Sequence, residues 1–203
     1  MSDLFHDKAT DWDSRPVPLQ ISQGVGEAIQ QAVRLQSHHS VLDFGAGTGL
    51  IASRIAPHVA KVVAVDVSPA MLDKLSQKPE LQGKVEVMCQ DLIDEPLGQT
   101  VDVVVSAMAA HHVQDTAALL HALFAHLKPG GQLALADLDA EDGSFHPAEA
   151  EGVFHSGFER EALATCARQA GFVDVAFTTA VTVSREERTY PVFLLTARRP
   201  TAA

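Results

Sequence analysis

Cysteine is nearly missing from this chain: Cys89 and Cys166 are the only two among 203 residues. They have no metal-ligand spacing, so a disulfide framework and a thiolate metal site are both set aside, and two buried thiols of a reducing compartment are expected. Positive charge is also scarce, with 15 Lys and Arg against 26 Asp and Glu, a net charge of -11. Gripping nucleic acid or an anionic membrane needs clustered basic residues, so neither partner is expected. No apolar run approaches the ~18 residues of a membrane span, and Met1-Ser2-Asp3-Leu4-Phe5-His6-Asp7 is acidic where a signal peptide is basic. The expectation is a soluble cytoplasmic protein without a membrane anchor. A hydrophobic content of 46% suits one domain over residues 1–203 with one core, and neither repeats nor a second domain are seen.

What the chain does have is Val41-Leu42-Asp43-Phe44-Gly45-Ala46-Gly47-Thr48-Gly49-Leu50, an apolar run that breaks into three alternating glycines and resumes as an apolar-periodic segment. It reads as strand, tight loop, helix. Glycine lets the backbone take positive φ and lets a ligand come close, and the following helix aims free N–H groups at whatever lies over the loop. The dinucleotide fingerprint spaces its glycines G-x-G-x-x-G; here the third comes one residue early, and Asp43 stands two residues before the first. A carboxylate there is a poor neighbour for a pyrophosphate and a good one for an ammonium group.

Strand and helix then alternate. A helix is expected from Ile21 to about Leu35, after an extended arm over residues 1–20 that holds Trp12, Pro16 and Pro18. Lys61–Val65 reads as a second strand ending in Asp66, with Ser68 as N-cap and Pro69 opening a helix. Lys84–Met88 reads as a third strand, and the valine-rich run Val101–Val105 as a central one covered on both faces. A helix from about Asp115 is expected to end at Lys128-Pro129-Gly130-Gly131, before a fifth strand at Gln132–Leu138. Residues 139–157 form a long acidic loop with the character of a lid. A last helix, Glu159–Ala170, leads to a hairpin of Val173–Val183 and Tyr190–Ala197 around the charged turn Ser184-Arg185-Glu186-Glu187-Arg188. Such alternation requires right-handed crossovers, giving an α/β, Rossmann-like, doubly wound and mostly parallel seven-stranded sheet with a C-terminal antiparallel hairpin.

The glycine loop with its acid, the Lys128-Pro129-Gly130-Gly131 segment, the Gly157-Phe158-Glu159-Arg160 lead into a helix ending Ala170-Gly171-Phe172, and the pair His111-His112 together resemble the class I S-adenosylmethionine-dependent methyltransferases. The resemblance is to the small-molecule branch that includes ubiquinone and menaquinone biosynthesis enzymes. It implies S-adenosylmethionine as cofactor, S-adenosylhomocysteine (SAH) as product, and a small-molecule acceptor.

Ligands of such sheets bind at the carboxyl ends of the strands. Gly45, Ala46 and Gly47 would carry the methionine portion, with Asp43 drawing its ammonium. Asp66 would accept both ribose hydroxyls, Asp91 the adenine amino group, and the Leu92 N–H a ring nitrogen; Val67 would wall the base, and Ser106 lies at the fourth strand end. His111 and His112 are the candidate bases if the acceptor must lose a proton, and the resemblance favours His112. His146 and His155 with Asp139, Glu141 and Asp142 match no metal-ligand pattern, so no metal is expected. Arg15 could meet the methionine carboxylate or simply a nearby aspartate. Alternatives remain in a non-catalytic S-adenosylmethionine-binding protein and an NAD-dependent oxidoreductase. Base methylation is disfavoured because Ser106-Ala107-Met108-Ala109-Ala110 lacks the Asn/Asp-Pro-Pro-aromatic clamp.

Overall fold

A computed structural model describes residues 3–147, 149–185 and 187–201. Met1 and Ser2 of the acidic N-terminal stretch, Ala148 of the long loop and Glu186 of the charged turn lie outside them. Seven strands form one sheet: β1 (Ser40–Phe44), β2 (Lys61–Asp66), β3 (Val85–Cys89), β4 (Val101–Ala107), β5 (Leu127–Leu138), β6 (Val173–Arg185) and β7 (Arg188–Arg198). Their order is β3-β2-β1-β4-β5-β7-β6, with β1 to β5 parallel and β7 antiparallel to both its neighbours. The doubly wound sheet and its antiparallel C-terminal strands are as the sequence led one to expect. The order reverses between β1 and β4, which makes their tips the switch point.

Alternation along each strand divides the core in two. Val41, Val62, Val103 and Val105 face one side, under α1 (Pro16–Ala32), α2 (Leu50–Ile55) and α3 (Pro69–Ser76). Leu42, Val63 and Val104 face the other, under α4 (Thr116–Ala125) and α5 (Arg160–Gln169). Ser68 caps α3 by accepting the Met71 N–H at 3.2 Å, and Asp115 caps α4 by accepting the Ala118 N–H at 2.9 Å.

Four expectations need correction. The first helix starts at Pro16, not Ile21, because both prolines fall in its first turn, where a missing N–H costs nothing. The arm before it is a chain of turns with a short helical turn at Trp12–Ser14. Lys128-Pro129-Gly130-Gly131 lies within β5, since α4 has already ended at Ala125. There Lys128 Nζ donates to both oxygens of Asp102 at 2.9 Å, and Asp102, the one acid in the valine run, also accepts the Ser40 N–H at 2.8 Å. Finally, Cys89 is exposed and Cys166 half-buried; Cys89 ends the edge strand β3, which has a neighbour on one side only.

Candidate active site

Asp43 sits in the penultimate position of β1 at 1% exposure. Burial, then the nearby charge of Asp66, pushes its carboxyl up to about 8, against a backbone hydrogen bond from Ala52 in α2. Its Oδ2 is buried without a partner. On the adjacent strand Ser106, paired in register with Phe44, is fully buried and its Oγ also has none. Two unsatisfied polar atoms on neighbouring strand tips are costly unless something else supplies the hydrogen bonds.

The three loop glycines differ in purpose. Gly45, Gly47 and Gly49 all have positive φ (66°, 54° and 82°). A Cβ on Gly45 would lie 2.2 Å from Ala109 Cβ, and one on Gly49 would lie 2.7 Å from Leu75 Cγ, so these two are required by packing. Only Gly47 faces open space, with nothing within 4 Å of its missing Cβ. Gly45 thus has a packing role as well as the expected one of presenting bare backbone to a ligand. The N–H groups of Gly45 and Ala46 both go to the Val65 carbonyl, at 2.9 and 3.1 Å.

Asp66 ends β2 and is tied into the loop, accepting the Gly47 N–H at 2.8 Å on Oδ2 and the Ser68 N–H at 2.8 Å on Oδ1. Each oxygen keeps a second lone pair. Burial raises its pKa, and the N–H groups of Ser68, Gly47 and Val67 oppose that. The tip of β3 is close by, because Gln90 N–H donates to the Asp66 carbonyl at 3.1 Å. Asp91 is exposed and folds its Oδ1 back onto the Ile93 N–H at 2.9 Å. Leu92 is fully buried in the second core, whereas Val67 is 60% exposed. Of the candidate site residues, Asp43 and Ser106 are thus buried, Gly47 and its partner Asp66 are half-buried, and Val67 and Asp91 face solvent.

His111 and His112 are adjacent but differently employed. Met108 takes a positive φ of 57°, uncommon for a bulky residue, as the chain turns after β4 to bring Ala109 onto Gly45. His111, at 1% exposure, places Nδ1 2.7 Å from Asp137 Oδ1 in β5. His112 places Nδ1 2.7 Å from the Gly152 carbonyl. Burial, then His111, lowers the His112 pKa to about 4; burial, then His111 and His112, lowers that of His146 to about 4. The His146 ring centroid lies 4.9 Å from that of His111. His155 does not join them: its Nε2 lies 3.0 Å from the Val113 carbonyl. Among the described residues no group of His, Cys, Asp and Glu could hold a metal ion.

Sequence reasoning expected the arm of residues 1–20 to act as a cap, but missed Asp137 and the arm's own contacts through Asp3, Phe5 and Asp13. Asp137 is fully buried inside the apolar run Ala134-Leu135-Ala136-Asp137-Leu138, and an acid in such a run has to be paired, which was the available signal. From the arm, Asp3 Oδ2 accepts the Ser68 hydroxyl at 2.9 Å and the Ala70 N–H at 3.3 Å. Phe5 meets His112 edge to face at 5.1 Å, and Asp13 accepts the Thr48 hydroxyl and pairs with Lys78 at 2.7 Å. Arg15 pairs with Asp11 at 2.7 Å. The long loop is closed at its base, where Arg160 forks onto both Asp139 oxygens at 2.6 and 2.7 Å.

A methyltransferase-domain family model matches residues 20–176, most of the chain, from within α1 through α5. This chain belongs to that family. It is a class I S-adenosylmethionine-dependent methyltransferase, similar to those of ubiquinone biosynthesis. An uncharacterized methyltransferase of Schizosaccharomyces pombe is 36% identical over 138 residues, covering 60% of this chain and 49% of that protein. The ubiquinone biosynthesis O-methyltransferase of Coxiella burnetii is 33% identical over 135 residues, covering 64% of this chain and 57% of that protein. This methyltransferase therefore spans about half the length of the curated relatives it matches. The fold is that of DhpI in its complex with SAH, with a TM-score of 0.77 at 20% identity, covering 99% of this chain and 96% of that one.

Proposed function

We propose that this methyltransferase moves the methyl group of S-adenosylmethionine to a small-molecule acceptor, with residues 1–203 acting as one domain, residues 1–20 as its cap and residues 139–157 as its lid. The observations that carry this reading are the open space over Gly47, whose N–H donates to the Asp66 carboxylate, and two buried atoms without partners on the neighbouring strand tips, Asp43 Oδ2 and Ser106 Oγ. A ligand bearing an ammonium, a carboxylate and vicinal hydroxyls answers those groups; a pyrophosphate does not. Asp43 would hold the ammonium, Asp66 the ribose through its remaining lone pairs, and Asp91 with Val67 the exposed edge of the adenine, over Leu92.

S-adenosylmethionine supplies an activated methyl whose sulfur leaves as a neutral thioether. The chain's work is to fix the acceptor in line and keep water out, and well-oriented positioning can supply much of the barrier reduction. The acidic surface charge and the absent planar-nitrogen clamp speak for a small acceptor rather than nucleic acid. Relatedness to an O-methyltransferase of quinone biosynthesis supports the same class. Two unpaired cysteines suit a cytoplasmic setting; among the described residues no helix is long and apolar enough to cross a membrane.

Calorimetric titration with SAH and, separately, with NAD tests the reading. Binding of SAH alone is expected; binding of NAD alone would favour the oxidoreductase. Turnover of methyl-labelled cofactor with a panel of small acceptors then separates an enzyme from a non-catalytic binding protein.

A further inference from the structure

The arm leaves one positive charge unanswered beside the site. Of its Lys and Arg residues, Arg15 is paired with Asp11 at 2.7 Å, whereas Lys8 is half-buried and has no acid within salt-bridge distance among the described residues. Its ammonium lies 5.0 Å over the Phe5 ring. A ring face attracts the charge but gives the three N–H donors no oxygen to replace the water they have lost.

The surroundings place this ammonium at the acceptor end of the sheet. Phe5 meets His112 at 5.1 Å, and His111 lies 4.1 Å from His112 and 4.9 Å from His146, ring centre to ring centre. The turn that carries His111 and His112 rests on the glycine loop through Ala109 and Gly45. Arm and long loop also meet here: a Cβ on Gly152 would lie 2.8 Å from Leu4 Cδ1, and the Gly152 carbonyl lies 2.7 Å from His112 Nδ1. After burial and the neighbouring imidazoles, the Lys8 charge is a further reason that His112 and His146 resist protonation.

The nearby carboxylates are committed elsewhere. Asp3 accepts from Phe5, Ser68 and Ala70, Asp13 is held by Thr48 and Lys78, Asp139 by Arg160, and Asp142 by Arg188. Asp137 is fully buried and accepts the backbone N–H groups of His111 and Leu138. An acceptor bearing an ammonium would therefore meet Lys8 with no free acid to offset the repulsion. The two buried Nε2 atoms without partners, on His111 and His146, are not equivalent. With Asp137 accepting 2.7 Å from its Nδ1, His111 carries its proton there and cannot donate from Nε2. His146 is under no such constraint, and its Nε2–H tautomer is a buried donor in want of an oxygen.

We propose that the acceptor carries a carboxylate, bound by the Lys8 ammonium from the arm and by His146 Nε2 from the long loop, and that Lys8 sets this specificity. This rests on the methyl-transfer reading. The net charge of -11 opposes an anion at long range, but such a field is screened beyond about 8 Å at physiological salt, whereas Lys8 acts in contact. Cap and lid thus each contribute one group to the same anion.

The test uses the full chain loaded with SAH and two matched probes, benzoate and benzamide, which share a ring and differ in charge. Calorimetry should show benzoate bound about 10-fold more tightly or better, and nitrogen NMR should show it shifting the His146 Nε2 resonance, assigned by its loss in His146→Gln. Lys8→Gln should weaken benzoate binding about 10- to 100-fold with SAH affinity unchanged, and Lys8→Arg should keep the preference for benzoate. With labelled cofactor, acids should be methylated faster than their carboxamides across a panel of matched acceptors. Equal binding of the two probes, binding of neither, or a benzoate affinity indifferent to Lys8→Gln overturns the proposal. So does a loss of SAH affinity in Lys8→Gln, which would assign Lys8 to the carboxylate of the cofactor itself. Failure of the wild type to bind SAH would overturn the methyl-transfer reading as well, whereas SAH binding without a benzoate preference overturns the acceptor assignment alone.

Discussion

Asp43 and Asp66, on adjacent strands, put two carboxyl groups beside one glycine loop, and the fully buried Asp43 is held largely protonated by its lack of water and then by the charge of Asp66. Asp43 is raised to about 8 from an ordinary value of 3.8. A group raised in the folded state stabilises the fold most below its unfolded pKa, and that contribution is lost as pH climbs through the folded value. Stability of the ligand-free protein should therefore decline between about pH 4 and pH 8 on this account, and Asp43→Asn should flatten that decline in thermal melts. Pairing with an ammonium requires Asp43 to ionise. SAH binding near pH 7 should release a proton, measurable by repeating calorimetry in buffers of different ionisation enthalpy, and the release should vanish in Asp43→Asn.

Removing the Asp66 carboxylate deprives both Gly47 and Ser68 N–H groups of their acceptor. Asp66→Ala is expected to weaken SAH binding by about 1–3 kcal/mol, the scale of orphaned hydrogen bonds to a charged group. Unchanged affinity would take Asp66 out of the site.

Gly45 and Gly47 should respond oppositely to alanine. At Gly45 the new methyl would be driven into Ala109, so Gly45→Ala should lower stability well beyond the roughly 1–2 kcal/mol of positive-φ strain, and Ala109→Gly should restore part of the loss. At Gly47 only the strain applies, while the methyl occupies the open space above the loop. Gly47→Ala should lose only about that 1–2 kcal/mol, less than Gly45→Ala, and bind SAH poorly.

The arm touches the site at three places: Asp3 on Ser68 and Ala70, Phe5 on His112, and Asp13 on Thr48. Asp13→Ala removes the attachment nearest the glycine loop. Faster hydrogen exchange in residues 3–15 and faster SAH dissociation in stopped flow are expected, with a stability loss of only about 1 kcal/mol.

Much of this was legible without coordinates because it is local. Asp43 before the glycines, and Ser68-Pro69 after Asp66, announce themselves by short-range chemistry. Asp137 did not, since its meaning depends on His111, 26 positions away, arriving from the next strand. Lys128 was misread for a related reason: Pro-Gly-Gly signals a break, but capture of the ammonium by Asp102 holds the segment in the sheet. The arm was read as extended because its apolar residues follow no period; its order comes from aspartates that accept from α3 and the glycine loop. Among the histidines, the residues themselves named His111 and His112 without ranking them, and only the resemblance favoured His112, because tautomer and burial are properties of the surroundings.

The placement of β7 between β5 and β6 bears on how the molecule is made. A ribosome delivers β6 first, yet β6 has no sheet neighbour except β7. Helix α1, synthesised well before β6, packs Gly24 so tightly on Val181 of β6 that a Cβ there would lie 2.5 Å away. That end of the sheet, with the helix that covers it, must therefore wait for Arg188–Arg198 to emerge. Until then the nascent chain carries an unpaired strand and an uncovered apolar face, the stage at which it most needs a chaperone's protection.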